Sequence, residues 1–126
     1  MTTSKATILI VEDEAKMRRL LELNLADDGF QTLSAGDAET GLKLLQDGPV
    51  DLVLTDLKLP GMNGLELQRR LSQNGNPVPI IFLSAQASEE DERSALRSGA
   101  IQFLRKPVRK EALLGAICDA LKRSII

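Results

Sequence analysis

The stretch ATILIVEDE, residues 6–14, decides how the rest of the chain reads. Its first part, Ala6 to Val11, is rich in β-branched residues and unbroken by charge, as expected of a strand buried on both faces. The carboxylates Glu12, Asp13 and Glu14 then follow with no turn residue between them and the strand. A strand covered on both faces implies a parallel sheet with helices on either side. Its carboxyl end is where such sheets place their chemistry.

Working outward, the same alternation recurs along the chain. Met17, Leu20, Leu21 and Leu25 mark a helix stopped by Gly29, and Phe30 to Ser34 is a weaker second strand. Asp37 can cap a helix through Leu42 and Leu45 that ends at Gly48-Pro49. Leu52 to Thr55 is a third strand running straight into Asp56, and the loop Pro60 to Gly64 leads to a helix with Leu65, Leu67 and Leu71, closed near Gly75 to Pro77. Ile80 to Leu83 is a fourth strand. Ser88 and Asp91 form a capping-box pattern opening a polar helix over 89–98, with only Ala95 and Leu96 as anchors. Gln102 to Arg105 is a short fifth strand, and Leu113, Leu114, Ile117 and Leu121 stripe a last helix. Five strand–helix pairs without a linker predict one α/β domain over 1–126, with Met1 to Lys5 as a short ragged terminus.

Composition narrows the chemistry. The 126 residues include no histidine, tryptophan or tyrosine, and one cysteine, Cys118. That excludes a histidine base, a Ser-His-Asp triad, a Cys/His zinc site and an internal disulfide, and suits a reducing, cytoplasmic setting. No apolar run approaches the ~18 residues of a membrane span. Net charge is −2, but residues 1–92 carry 8 Lys/Arg against 16 Asp/Glu and residues 93–126 carry 8 against 2. The basic end reads either as a solvated surface or as a face for an acidic partner. With three aromatics and no nucleic-acid-binding signature, direct contact with nucleic acid is not expected.

The strand ends then assemble a site. Strand one runs into Glu12 and Asp13, strand three into Asp56, strand four into Ser84, and strand five into Lys106. Any one of these alone would be an ordinary loop residue; each at the end of its own strand is a constellation. Three carboxylates against one ammonium leave a charge of −2, which a divalent cation would balance. An all-oxygen donor set favours Mg²⁺ over Zn²⁺. A metal, a lysine and a nucleophilic carboxylate outline a phosphoryl-transfer site.

These residues resemble the receiver domain of two-component response regulators from Ile8 to Leu121. The resemblance is carried by ILIVEDE (8–14), LVLTDLKLPGMNG (52–64), IIFLSA (80–85), Gly99-Ala100 and FLRKP (103–107), in order and at family spacing. It implies the three-layer, doubly wound (βα)₅ flavodoxin-like fold with strand order 2-1-3-4-5. It also implies that Asp56 is the phosphoacceptor, charged in an Mg²⁺-dependent reaction from the phosphohistidine of a sensor histidine kinase or a phosphotransfer protein, with Mn²⁺ as an alternative ion. Asp13 and Asp56 would bind the metal directly, Glu12 more remotely, and Lys58 through its backbone carbonyl. Ser84 and Lys106 would meet the phosphoryl group, Phe103 would be the switch aromatic, and Pro107 would follow a cis bond. The readout would be the face of helix four, strand five and helix five, acting on an output domain or partner protein outside this chain or on a phosphorylation-dependent homodimer. The ending LLGAICDAL (113–121) is similar to that of receivers joined to helix-turn-helix, DNA-binding output domains. Such a protein is a phosphoacceptor that promotes its own phosphorylation and dephosphorylation, not a turnover enzyme.

The chain departs from the commonest family pattern at Lys58 and Gln86, two residues past Asp56 and Ser84, the positions that tune dephosphorylation in this family. Val108, where a larger apolar residue is common, affects local packing. Two other readings are weaker. A haloacid-dehalogenase-type phosphohydrolase would want an acid where Lys58 stands, and a nucleotide-binding protein would want a glycine-rich loop where Glu12, Asp13 and Glu14 repel phosphate. A receiver that acts without phosphorylation is the remaining alternative, and the retained Glu12, Asp13, Asp56, Ser84 and Lys106 argue against it.

Overall fold

A computed structural model describes residues 6–125, with side chains to Lys122; the terminus expected at Met1 to Lys5 lies outside the described residues. The elements in chain order are β1 (Thr7–Val11), α1 (Ala15–Asp27), β2 (Gln31–Ala35), α2 (Ala38–Asp47), β3 (Leu52–Thr55), α3 (Gly64–Gln73), β4 (Ile80–Ser84), α4 (Glu89–Arg97), β5 (Gln102–Arg105) and α5 (Lys110–Ile125). The strands form one parallel sheet ordered β2-β1-β3-β4-β5, as the resemblance implies. The chain order reverses beside β1, and that is where an open sheet of this kind forms its crevice.

Continuous apolar strands follow from having two cores. Side chains alternate across a strand. In β1, Ile8 and Ile10 therefore join Leu21 and Leu25 of α1 and Leu113 and Ile117 of α5. Leu9 and Val11 join Ala38 of α2, Leu67 and Leu71 of α3 and Ala95 of α4. Every residue of β3 and β4 is buried, whereas the edge strands β2 and β5 are half exposed.

Side-chain caps start α2 and α4 as expected. The Asp37 side chain accepts the Thr40 amide at 2.7 Å, and Ser88 and Asp91 form a full capping box. Asn63 caps α3 by accepting the Glu66 amide at 2.9 Å. Three expectations need correction. Leu20 is 52% exposed rather than part of the buried stripe of α1, because the next residue, Leu21, takes the core-facing position. Leu96 is 42% exposed, so it does not anchor α4. Phe30 precedes β2 instead of opening it: its amide bonds back to the Leu25 carbonyl, closing α1 while the ring packs in the core.

Candidate functional site

The ends of β1, β3, β4 and β5 open on a cleft of about 620 Å³ lined by Glu12, Asp13, Asp56, Lys58, Ser84, Gln86, Lys106 and Pro107 among others. Sheet register brings these residues together. Val11 pairs with Thr55, so the residues after them, Glu12 and Asp56, leave neighbouring strands side by side. The Asp56 amide donates to the Val11 carbonyl at 3.0 Å and the Lys106 amide to the Ser84 carbonyl at 2.9 Å, extending the ladder into the site.

Lys106 joins the two halves. Its Nζ lies 2.6 Å from Glu12 Oε1 and 3.1 Å from Asp56 Oδ2, and the three side chains are 12%, 3% and 11% exposed. Burial works against the ammonium, but the hydrogen bonds it donates to Glu12 and Asp56 outweigh it and hold the Lys106 proton more tightly than usual. Such a buried pair is costly to break, because the partner left behind keeps an uncompensated charge. The other Asp56 oxygen, Oδ1, accepts the Lys58 amide at 3.1 Å. Glu12 is fixed further: its Oε2 accepts the Glu14 amide at 3.1 Å, and Arg18 Nη1 donates to its carbonyl at 2.7 Å.

Two observations bear on what the cleft could hold. Glu12, Asp13 and Asp56 each offer a carboxylate oxygen within 4.8 Å of the others. This acidic cluster could hold a metal, and hard oxygen donors of that kind suit Mg²⁺. Ser84 is the last residue of β4 rather than the first beyond it, and is fully buried. Its Oγ has no hydrogen-bond partner among the described residues. A buried hydroxyl without a partner is unfavourable, and it lines the cleft beside Asp56 and Lys106.

Other expected residues sit around this centre. Asp13 and Gln86 are exposed at the rim. The Lys106-Pro107 bond is cis. Phe103 lies outside the cleft, half-buried, its ring 6.3 Å from that of Phe82. The Lys58 ammonium meets Asp91 of α4 at 3.4 Å. Sequence reading gave Asp91 a capping role only and gave Arg18 and Gly64 none. Gly64 had a signal in the turn before α3: a Cβ there would lie 2.6 Å from the Asp56 carbonyl oxygen and 2.7 Å from a Phe82 ring carbon.

This fold and this constellation define a class, and comparison with known proteins agrees. The family model of the response regulator receiver domain matches residues 8–118. The chain belongs to that family, a family of phosphoacceptor regulators in two-component signalling. A probable transcriptional regulatory protein of Picosynechococcus sp. is 43% identical over 128 residues, covering 96% of this chain and 51% of its own length. The transcriptional regulatory protein GlrR of Escherichia coli is 36% identical, covering 98% of this chain and 28% of its own. The chain thus spans about half, or less, of the curated relatives it matches. In structure it is similar to a response regulator receiver domain protein from Clostridium thermocellum, with TM-score 0.90, 29% identity, and 95% and 97% of the two chains covered. Among the described residues no helix is long and apolar enough to cross a membrane.

Proposed function

We propose that Asp56 is the phosphoacceptor of this receiver, taking a phosphoryl group from the phosphohistidine of a sensor histidine kinase or a phosphotransfer protein. The observation that carries this reading is the Asp56 carboxylate at the end of a central strand, held by Lys106 at 3.1 Å beside the partnerless Ser84 hydroxyl. Lys106 and the Lys58 amide fix the two Asp56 oxygens and so orient the carboxylate for in-line attack. The new bond joins an Asp56 oxygen to phosphorus; the phosphorus–nitrogen bond breaks and the imidazole keeps the electron pair. Lys106 then has a phosphoryl oxygen to meet, and Ser84 finds the acceptor it lacks.

Glu12, Asp13, Asp56 and the Lys58 carbonyl would hold Mg²⁺, or Mn²⁺ in its place, which when bound neutralises charge on the phosphoryl oxygens. The acyl phosphate adds about −1.5 to −2 of charge by analogy with other phosphoryl groups. Movement of Ser84 toward it frees space for Phe103, biasing the face made by α4, β5 and α5 between two packings. That face would act on an output domain outside this chain, DNA-binding in the pattern of transcriptional relatives, or on a second copy. The setting would be cytoplasmic, and the chain itself would contact neither membrane nor nucleic acid. It would be an acceptor and switch rather than a turnover enzyme.

Mass spectrometry of intact protein after incubation with Mg²⁺ and a small acyl phosphate donor tests the reading. The wild type gains one phosphoryl group and Asp56→Asn gains none. Equal labelling of both, or labelling of neither, overturns it.

A further inference from the structure

Lys58 faces two elements at once. Its amide donates to Asp56 Oδ1, while its ammonium pairs with Asp91 Oδ2 in the first turn of α4. That turn is acidic throughout, with Glu89, Glu90, Asp91 and Glu92 in succession. A second cation holds it from the other side. Arg105, the last residue of β5, donates to the Ala87 carbonyl at 2.6 Å and to Glu92 at 2.9 Å. Its guanidinium carbon lies 5.5 Å from the centre of the Phe103 ring. Apolar burial adds little, since Ala95 is the one buried residue of α4 among the described residues.

We propose that Lys58 is an exchangeable latch, pairing with Asp91 while Asp56 is free and moving to the phosphoryl group once Asp56 carries one. The proposal rests on Asp56 being the acceptor, and makes Asp91 a positioning residue for Lys58. Charge supplies the direction. Asp91 offers one negative charge and a phosphoryl group nearly two, so an ammonium that can reach either favours the phosphoryl group. When it leaves, the acidic first turn loses a counterion as negative charge appears in the neighbouring cleft. The Arg105 link survives, so α4 stays attached to β5 beside Phe103 while its tie to the acceptor loop opens. Phosphorylation at Asp56 is thereby transmitted to α4 by ion-pair exchange, in addition to any movement of Ser84.

The pair is exposed, with Lys58 at 58% and Asp91 at 29%, so the effect is modest. A pair of this kind is worth roughly a two- to fivefold change in an equilibrium. Asp91→Asn removes the charge but keeps a side-chain oxygen for the Ser88 amide, so the capping box survives. The test is the affinity for beryllofluoride with Mg²⁺, a phosphoryl mimic, measured for wild type, Asp91→Asn, Lys58→Met and the double variant. Releasing the latch tightens binding about two- to fivefold in Asp91→Asn, and the same substitution changes nothing in the Lys58→Met background. Amide exchange in the first turn of α4 rises on beryllofluoride binding in the wild type; in Lys58→Met it is already raised and stays level. Equal affinity of wild type and Asp91→Asn overturns the latch and leaves the acceptor reading intact. No binding to the wild type overturns both.

Discussion

Helices α3 and α4 lie on the same side of the sheet, have nearly the same length and both start at a side-chain cap, yet they are held by different forces. α3 buries Gly64, Leu67, Gln68 and Leu71, whereas α4 buries Ala95. What α4 lacks in burial it makes up in charge, through Lys58–Asp91 and Arg105–Glu92. Apolar burial carries no charge to be screened or titrated; ion pairs respond to salt, to pH and to any new charge nearby. The helix fixed by burial can hold the loop after Asp56 still, and the helix fixed by charge can respond to it.

The largest difference between the two helices should appear on truncation. Leu67 is fully buried, so Leu67→Ala costs about 2–5 kcal/mol by denaturant unfolding. Leu96, at 42% exposure, loses within about 0.5 kcal/mol on the same change. Similar losses at the two sites would erase the distinction. Next in size is Gly64→Ala, where the added methyl meets the Asp56 carbonyl and the Phe82 ring with no room to spare. Overpacking of this kind costs about 1–3 kcal/mol. Because it displaces the Asp56 backbone, slower phosphorylation should accompany the lost stability. A stable variant that is phosphorylated normally would show that α3 does not brace the loop after Asp56.

The comparison also explains what sequence could and could not reveal. Doubly buried strands are legible because their apolar run is bounded by charge, and β3 matched its expected limits, Leu52 to Thr55, between Asp51 and Asp56. The strand-end residues followed, since a parallel sheet sends all its carboxyl ends to one rim. Apolar periodicity marks a helix stripe but not its width, so Leu20 and Leu96 were assigned to cores they do not enter. The partner of Lys58 was illegible for a different reason. A long, exposed side chain chooses among carboxylates by distance, and the acids near it in space come from an element far away in sequence. The orphan hydroxyl of Ser84 was visible only once its surroundings were.

Salt should separate the helices with a smaller effect. Screening shortens from about 10 Å at 0.1 M to about 3 Å at 1 M salt. The ties of α4 weaken accordingly, and its amide exchange should quicken by a factor of a few. α3 carries exposed Glu66–Arg69 and Glu66–Arg70 pairs as well. Its buried leucines remain, so its exchange should hardly move. Parallel changes in both helices would mean that the charges on α4 contribute nothing particular to it.

Acid offers the finest distinction, because the two caps differ in chemistry. α3 starts at Asn63, which has no proton to gain, whereas the α4 box needs the Asp91 carboxylate to accept the Ser88 amide at 3.1 Å. That amide holds the Asp91 carboxyl below its ordinary value of 3.8, against an upward push from burial and with help from Lys58. A carboxyl depressed in the folded state contributes stability above its unfolded value and loses it as pH falls through the folded one. Below about pH 3.8 the start of α4 should therefore fray before that of α3, as read by residue-resolved amide exchange. Asp91→Asn should remove most of that pH dependence while leaving α3 unaffected, since the amide keeps an acceptor that does not titrate. If wild type and variant loosen over the same pH range, the cap is not where α4 senses acid.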